Sequence, residues 1–463
     1  MEDTIAALQT LYMGADPAQK QQANQWLQAF VTRVEAWTTC DQLLSHPSMT
    51  NEVYYFAAQT LHTKTVASCD DLPLEARTSL RKSLLDHMDR FKAAPQIITT
   101  QLSLALAALA IQMENWENPV QDITHLFGSN PLTLSLLLDF LTVFPDECEN
   151  RRIPVTTERR EAIQQRLLAT APTIVVGLLQ YSRSNPGNVT IQNRVFSCLL
   201  SWIKMEAIPM GILASSEFVP LLFEALATEA LFDTSVDLLC EIVSQSKGTK
   251  ETMLVNDLMA RTPQLIVPYR NSVTTDNPDV ARGLARVFVA AGEAHLFNII
   301  GKFETYGVLT ELILECTAHT DLEIAQISFN FWFQLAEELP SAENREAIAK
   351  FYSAFSRLMG IIVEHLRYPV DSHTLTAEQK DDFKDFRHVV GDTLKDCCAV
   401  LGGEKALQLV LYFWWSFRRC CTHHPSKPFP GLRLPGGPAD DSWSSVANNR
   451  GRALRHSVHG LRC

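Results

Sequence analysis

The apolar residues of this chain recur with the period of an α-helix almost from end to end, which leaves little else for it to fold into. Val53, Phe56, Ala57, Thr60 and Leu61 fall at i, i+3, i+4, i+7 and i+8. Leu80, Leu84, Met88 and Phe91 mark a second stripe, and Ile98, Leu102, Ala105, Leu106, Leu109 and Met113 a third. Each reads as a helix face turned to a core. No convincing run of strict alternation, the pattern of a half-buried strand, interrupts them.

Punctuation falls at intervals of about 20 residues, half the HEAT period. Pro73, Pro95, Pro119 and Pro131 each fit a first helical turn, where a missing N–H costs nothing. Thr320-Asp-Leu-Glu323 reads as a capping box ahead of one long apolar helix. Helices of about 12–20 residues in pairs of about 40–45 match the HEAT/armadillo period. The predicted pairs are 1–46, 48–92, 94–128, 130–182, 189–230, 232–272, 277–317 and 318–368, with a partial unit from 376. A lone pair cannot bury its apolar face, so the pairs must stack. Ile324, Ile327, Phe331 and Leu335 form one stripe while Phe329 and Trp332 form another, as in a helix sandwiched between neighbouring repeats. The predicted fold is all-α: a HEAT/armadillo-type α-solenoid, a superhelix of antiparallel helix pairs, over residues 1–411.

The remaining 52 residues, 412–463, differ in kind. They carry eight Lys/Arg against two Asp/Glu, with five Pro and five Gly, whereas the first 411 carry 32 Lys/Arg against 50 Asp/Glu. This basic segment is predicted to be disordered, or to be an alternative terminus that cuts a longer solenoid. The stack before it ends on Leu407, Leu409, Val410 and Leu411, then Phe413-Trp414-Trp415, and not on a polar capping repeat.

Composition narrows the function classes. With 46% hydrophobic and 20% charged residues the chain forms a core. Its net charge of −12 argues against coating nucleic acid and suits the attraction of basic partners, although many proteins are this acidic without such a role. Of eleven cysteines, eight lie in the first 400 residues, and no CxxC pair exists. That argues against a disulfide framework or a structural zinc site and points to a reducing compartment. The N-terminal MEDTIAALQTLY lacks the form of a signal peptide. The longest apolar-rich stretches, Leu102–Met113 and Leu132–Phe144, fall short of the roughly 20 residues a bilayer needs, so a soluble, intracellular chain is predicted.

Catalytic and metal signatures are missing. There is no GxGxxG after a strand, no HExxH and no GxSxG. Ser246-Lys247-Gly248-Thr249-Lys250 superficially resembles a phosphate loop but lacks its spacing, and reads as a helix-to-helix loop. Cys420-Cys421-Thr422-His423-His424 has metal-capable side chains, yet adjacent ligands cannot close a tetrahedral site unaided. Asn188-Val189-Thr190 matches a glycosylation sequon and reads as a loop feature, and Cys463 is terminal and cannot belong to a CaaX box. An enzyme would need a convergent titratable cluster, so a non-enzyme without cofactor or metal is expected. Trp26, Trp37, Trp116, Trp202 and Trp332 are predicted core residues. Asp381, Asp382 and Asp385 before Arg387 read as first-turn acids, or as a patch for a basic partner.

Several segments together resemble a known family. Trp26-Leu27, Trp37, Asp41-Gln42-Leu43-Leu44 and Tyr55-Phe56-Ala57-Ala58-Gln59-Thr60 are similar to the N-terminal repeats of importin-β superfamily receptors, nearest their transportin-SR and importin-13-like branch. Ile327-Ser328-Phe329-Asn330-Phe331-Trp332, with Leu335 and Glu338, resembles a later repeat of that branch. So do Asp382-Phe383, Phe386-Arg387, Val390, Asp392 and Leu394-Lys395-Asp396. The resemblance covers roughly residues 1–411, more weakly between about 145 and 310.

The resemblance implies a HEAT superhelix that shuttles between cytoplasm and nucleus, passes nucleoporins and releases import cargo on binding Ran-GTP. It implies arginine/serine-rich splicing factors as cargo and a form lacking the C-terminal cargo-binding half; the acidic balance and short apolar stretches predict no direct nucleic-acid or membrane partner. It also implies that the N-terminal repeats form much of the Ran site, on a concave face made by the second helix of each pair. Lys82, Asp86 and Asp89, opposite the apolar stripe of helix 80–91, are the candidate residues of that face. The alternative is a HEAT-repeat scaffold for another protein complex.

Overall fold

The structure is a computed structural model that describes residues 1–340, 345–367 and 376–421, with 414–421 in backbone alone. All regular secondary structure among the described residues is helical. The chain divides into two compact units, Met1–Val400 and Leu401–Cys463.

In the first unit, α1 (Glu2–Met13) and α2 (Pro17–Thr32) open a series of helical hairpins. There follow α3 (Ala36–Ser45) with α4 (Asn51–Ser68), α5 (Leu74–Arg90) with α6 (Gln96–Gln112), α7 (Pro119–Phe127) with α8 (Leu134–Glu149), and α9 (Thr157–Ser184) with α10 (Val189–Lys204). The first arm then becomes segmented: α11 (Met210–Ala214) and α12 (Phe218–Ala225) precede α13 (Glu229–Gln245), and α14 (Thr252–Arg261) and α15 (Ile266–Thr274) precede α16 (Pro278–Ala294). The short α17 (Leu296–Gly301) and α18 (Phe303–Tyr306) lead to α19 (Val308–Thr317), followed by α20 (Leu322–Gln326), α21 (Phe329–Glu338), α22 (Ile348–His365) and α23 (Ala377–Leu401).

Local chemistry sets these boundaries. Pro73 and Pro95 sit just before their helices, Pro119 occupies the first turn of α7, and Pro131 lies in the turn ahead of α8. Asp16, Thr156, Asn188 and Asn277 cap α2, α9, α10 and α16 by accepting from backbone N–H groups. Asn188, the sequon residue, is therefore a helix cap. The capping box expected at Thr320 is shifted by one residue: Asp321 is the cap, accepting from Glu323 N at 2.9 Å. The helix behind it is also broken, because Ser328 Oγ donates to Ala325 O at 2.7 Å and pairs with Thr317 Oγ1 at 2.8 Å, tying the break to α19.

The expected first pair, 1–46, does hold the packed α1/α2 hairpin, but from α3 onward the expected pairs are displaced by one helix. Within the first unit the further hairpins that pack face to face are α3/α4, α5/α6, α7/α8, α9/α10, α12/α13 and α15/α16, whereas 48–92 joined α4 to α5 and 189–230 joined α10 to α12. Both connections are short and both helices are apolar on one side, so periodicity alone does not fix which neighbours share a hairpin. The second helices α4, α6, α8, α10, α13 and α16 pack closely on one another in a single row. The first helices stand further apart. In a curved stack the tighter row is the inner one.

Being flanked on three sides, the inner-row helices are apolar nearly all round. In α6 every residue from Ala105 to Gln112 is buried. Trp202 is fully buried in α10 and donates from Nε1 to Leu141 O at 2.9 Å, and Trp116 and Trp332 are buried as well. Trp26 and Trp37 are only half-buried, lying beneath Arg33 and Lys64 at 5.8 and 5.1 Å. The helix α9 corrects the expectation about apolar stretches. Its 28 residues include a window of mean hydropathy 1.3, long and apolar enough to cross a bilayer by length and composition. Here Ile163, Leu167, Ala171, Ile174, Val175 and Leu178 are buried against the stack.

The second unit holds α24 (Gly403–Cys421), which follows Gly402 at φ +83°. The helical periodicity expected to stop at Leu411 thus continues to Cys421, since residues 412–421 contain neither Pro nor Gly. The rest of the basic segment, His423 and His424 included, lies outside the described residues. The eight cysteines from Cys40 to Cys398 are free thiols.

Close helix approach in α16 rests on glycine. A Cβ on Gly292 would lie 2.5 Å from Ile313 and 2.9 Å from Phe331, so Gly292→Ala is expected to cost about 1–3 kcal/mol, read as a lowered denaturant midpoint. His295 is buried with Ser246 Oγ 3.0 Å from its Nε2, and burial lowers its pKa below the ordinary imidazole value. The unfolded chain binds this proton more readily than the fold does. The stability it contributes is therefore present above about pH 6.5 and lost as pH falls toward the lowered folded value. Denaturant midpoints between pH 7 and 5 should fall less steeply in His295→Gln than in the parent chain.

Candidate protein-binding surface

The inner row leaves a solvent-facing side along its helices. On α4 it presents Glu52, Gln59, Thr63 and Ala67, and further along it presents Asp233 of α13 and Arg286 of α16. Helical spacing places these residues on the one face not taken by neighbouring helices.

Polar bridges run along this row from repeat to repeat. Asp139 of α8 is 4% exposed and accepts from Thr99 Oγ1 at 2.7 Å and Gln96 Nε2 at 3.1 Å, both of α6, and from Arg194 of α10. Burial raises its pKa despite Arg194, Thr99 and Gln96, which all favour the charged form. Arg286 of α16 reaches Asp237 of α13 at 2.7 Å, Arg282 reaches Glu323 at 2.8 Å, and Asn330 of α21 donates to Glu293 of α16 at 2.9 Å. The exposed pairs add little stability individually. Collectively they hold neighbouring helices in register, and they leave the row carrying both charge signs.

The first helices have their own bridges. Asp41 of α3 meets Ser83 and, at 2.9 Å, His87 Nε2 of α5, and the His87 contact is the main cause of its lowered pKa. This grouping does not form a nucleophilic triad, because the carboxylate sits between the serine and the imidazole. Arg357 of α22 pairs with Glu311 of α19.

Lys82, Asp86 and Asp89 are all exposed, and Asp89 pairs with Lys92 at 3.1 Å. However, α5 is the first helix of its hairpin, so these residues lie outside the inner row of second helices, and the expectation that placed them on a second helix is corrected by the shifted pairing. Asp381, Asp382 and Asp385 are exposed in the first turns of α23, where Asp381 pairs with Lys384 at 2.7 Å. Ser246–Lys250 connects α13 to α14 as a loop. Sequence reading missed the inner-row ladder. Its signal was present in Arg282 and Arg286, one turn apart, and in Asp233, Asp237 and Glu241, at i, i+4 and i+8.

Three family profiles match the chain in order. They are described as Importin-beta N-terminal domain (residues 23–90), Exportin 1-like protein (95–239) and Transportin-3/Importin-13 second TPR domain (276–365). The chain is 32% identical over 437 residues to mRNA transport regulator MTR10 of Saccharomyces cerevisiae, covering 88% of the chain and 44% of that protein. It is 28% identical to Transportin MOS14 of Arabidopsis thaliana (87% and 44%) and 26% identical to human Importin-13 (87% and 44%). The chain thus spans less than half the length of these relatives. A solved structure titled "Importin13 cytosolic state" superposes with a TM-score of 0.64 at 16% identity, over 81% of the chain and 45% of that structure, and so shares the solenoid fold.

The buried bridge makes a specific demand. Arg194→Met would leave Asp139 charged and under-compensated, costing about 3–5 kcal/mol. The double change Asp139→Asn with Arg194→Met should recover much of that loss, measured by equilibrium unfolding of both variants.

Proposed function

As a member of the importin-β superfamily, on its transportin and importin-13-like branch, this chain is, we propose, the N-terminal part of a nuclear transport receptor that acts by binding proteins and catalyses no reaction. In this reading the inner row receives Ran-GTP, and the receptor carries protein cargo, arginine/serine-rich splicing factors among it, past nucleoporins between cytoplasm and nucleus. The single observation that carries the reading is the order of the three family profiles along one continuous row of packed second helices, with the importin-β N-terminal profile at its start.

The physical case is consistent with that role. A tight inner row offers a long surface that can wrap a folded partner, and a net charge of −12 favours basic ones. Stacked repeats contact only their neighbours, so small adjustments add up along the row. The importin-β N-terminal profile at the start of the row makes GTPase binding the activity to test here.

The test is binding of the full chain to Ran loaded with a non-hydrolysable GTP analogue or with GDP, measured by calorimetry. The expected outcome is a preference of at least tenfold for the GTP form. Gln59→Arg with Thr63→Arg, on the inner face of α4, should weaken it by about tenfold, equivalent to 1.4 kcal/mol. Charge reversal of Lys82, Asp86 and Asp89 on α5 serves as the comparison set and should weaken it less. Equal or absent binding in both nucleotide states would favour the HEAT-repeat scaffold reading.

A further inference from the structure

A recess of about 310 Å³ opens where the loop after α13 meets the end of α16, the start of α17 and one face of α21. Two phenyl rings line it, Phe297 at 62% and Phe333 at 49% exposure, on different elements. An exposed ring gains by being removed from water, so two converging on one recess mark a place to seat an apolar group.

The rim is acidic. Among the described lining residues Glu293, Glu337 and Glu338 stand against one cation, Lys247. Burial holds the Glu293 carboxyl above its ordinary range, with Asn330 and Lys247 only partly opposing it. Asp396 of α23 is raised first by burial and then by the negative charges of Asp392 and Glu337. Carboxylates crowded in this way are stabilised by an arriving cation, and a phosphate-bearing ligand would be repelled.

We propose that this recess seats a single aromatic or large aliphatic side chain of a basic partner segment, whose flanking Arg or Lys residues pair with Glu293 and Glu337. The ring supplies the buried anchor and the carboxylates select its neighbours, the usual division between an apolar centre and a polar rim. The assignment goes beyond the transport reading and is independent of GTPase binding.

The experiment is fluorescence anisotropy of the full chain with three labelled nonapeptides: a central Phe flanked by four Arg and glycine spacers, the same peptide with Ser for Phe, and the same with Glu for Arg. The Phe-centred basic peptide should bind, the Ser-centred one about tenfold more weakly, and the acidic one not at all. Phe297→Ser and Phe333→Ser should each weaken binding by about tenfold, or 1.4 kcal/mol, with unchanged melting because both rings are already exposed. Glu337→Lys should do the same and is a surface change that keeps the test open if either Phe variant melts early. Lys82→Glu, on α5, should change nothing. Equal affinity for the Ser-centred peptide, or affinity indifferent to all three recess variants, would overturn the proposal. So would self-association in sedimentation that Phe333→Ser abolishes, since a second copy would then be the occupant.

Discussion

A stack of helical hairpins is limited by what happens at its helix ends. Every α-helix finishes with carbonyls that lack an intrahelical partner, and burying them bare costs about 1–3 kcal/mol each. In this fold a side chain from further along the chain covers them. Lys64 donates to Arg33 O at the end of α2, Gln112 to Thr65 O near the end of α4, and Gln245 to Ile203 O near the end of α10. Arg159 alone reaches Ile111 O and Met113 O at the end of α6, at 3.1 and 3.0 Å, while Arg160 reaches Cys148 O in the last turn of α8 and Asn150 O just past it. Most of these donors are cationic or amide groups, which the negative end of a helix dipole favours.

Those contacts explain how a chain with so few unusual residues sets one spacing between repeats. Apolar stripes alone would let a helix slide along its neighbour by a turn at modest cost. A guanidinium fork on fixed carbonyls does not allow that. The glycines of α16 act in the same sense from the packing side, since Gly283 admits Phe232 of α13 and Gly292 admits Ile313 and Phe331. The recess at Phe297 and Phe333 lies where the regular hairpin pattern has broken into the short helices α17 and α18, so its rings are not claimed by a neighbouring repeat.

Much of the fold was legible in the sequence because helical periodicity, proline position and cap residues act locally. The stripes at 53–61, 80–91 and 98–113 all became helix faces, and the family resemblance carried by Trp26-Leu27 and Tyr55–Thr60 agrees with the matched profiles. The phase of the hairpins was not legible. It depends on which of two apolar neighbours a helix prefers, a non-local choice, and misplacing it put Lys82, Asp86 and Asp89 on a second helix when α5 is a first helix. The break at Ser328 was missed because a hydrogen bond to Thr317, on another element, holds it, whereas the Asp321 cap is local and lay one residue past the Thr320 expected to provide it. The recess was illegible for the same reason, since Phe297 and Phe333 are 36 residues apart and meet only in three dimensions.

The helix-end contacts all point one way along the chain: the donor comes after the carbonyl it covers. Arg159 follows Met113 by 46 residues, Gln112 follows Thr65 by 47, and His365 follows Thr317 by 48. During synthesis, then, a repeat that has already left the ribosome still has an open end until the next one emerges. At about 5–20 residues per second this leaves each new end exposed for a few seconds. The growing solenoid is thus always one repeat short of finished, and its trailing edge, in place of any single weak helix, is where a nascent-chain chaperone would find it.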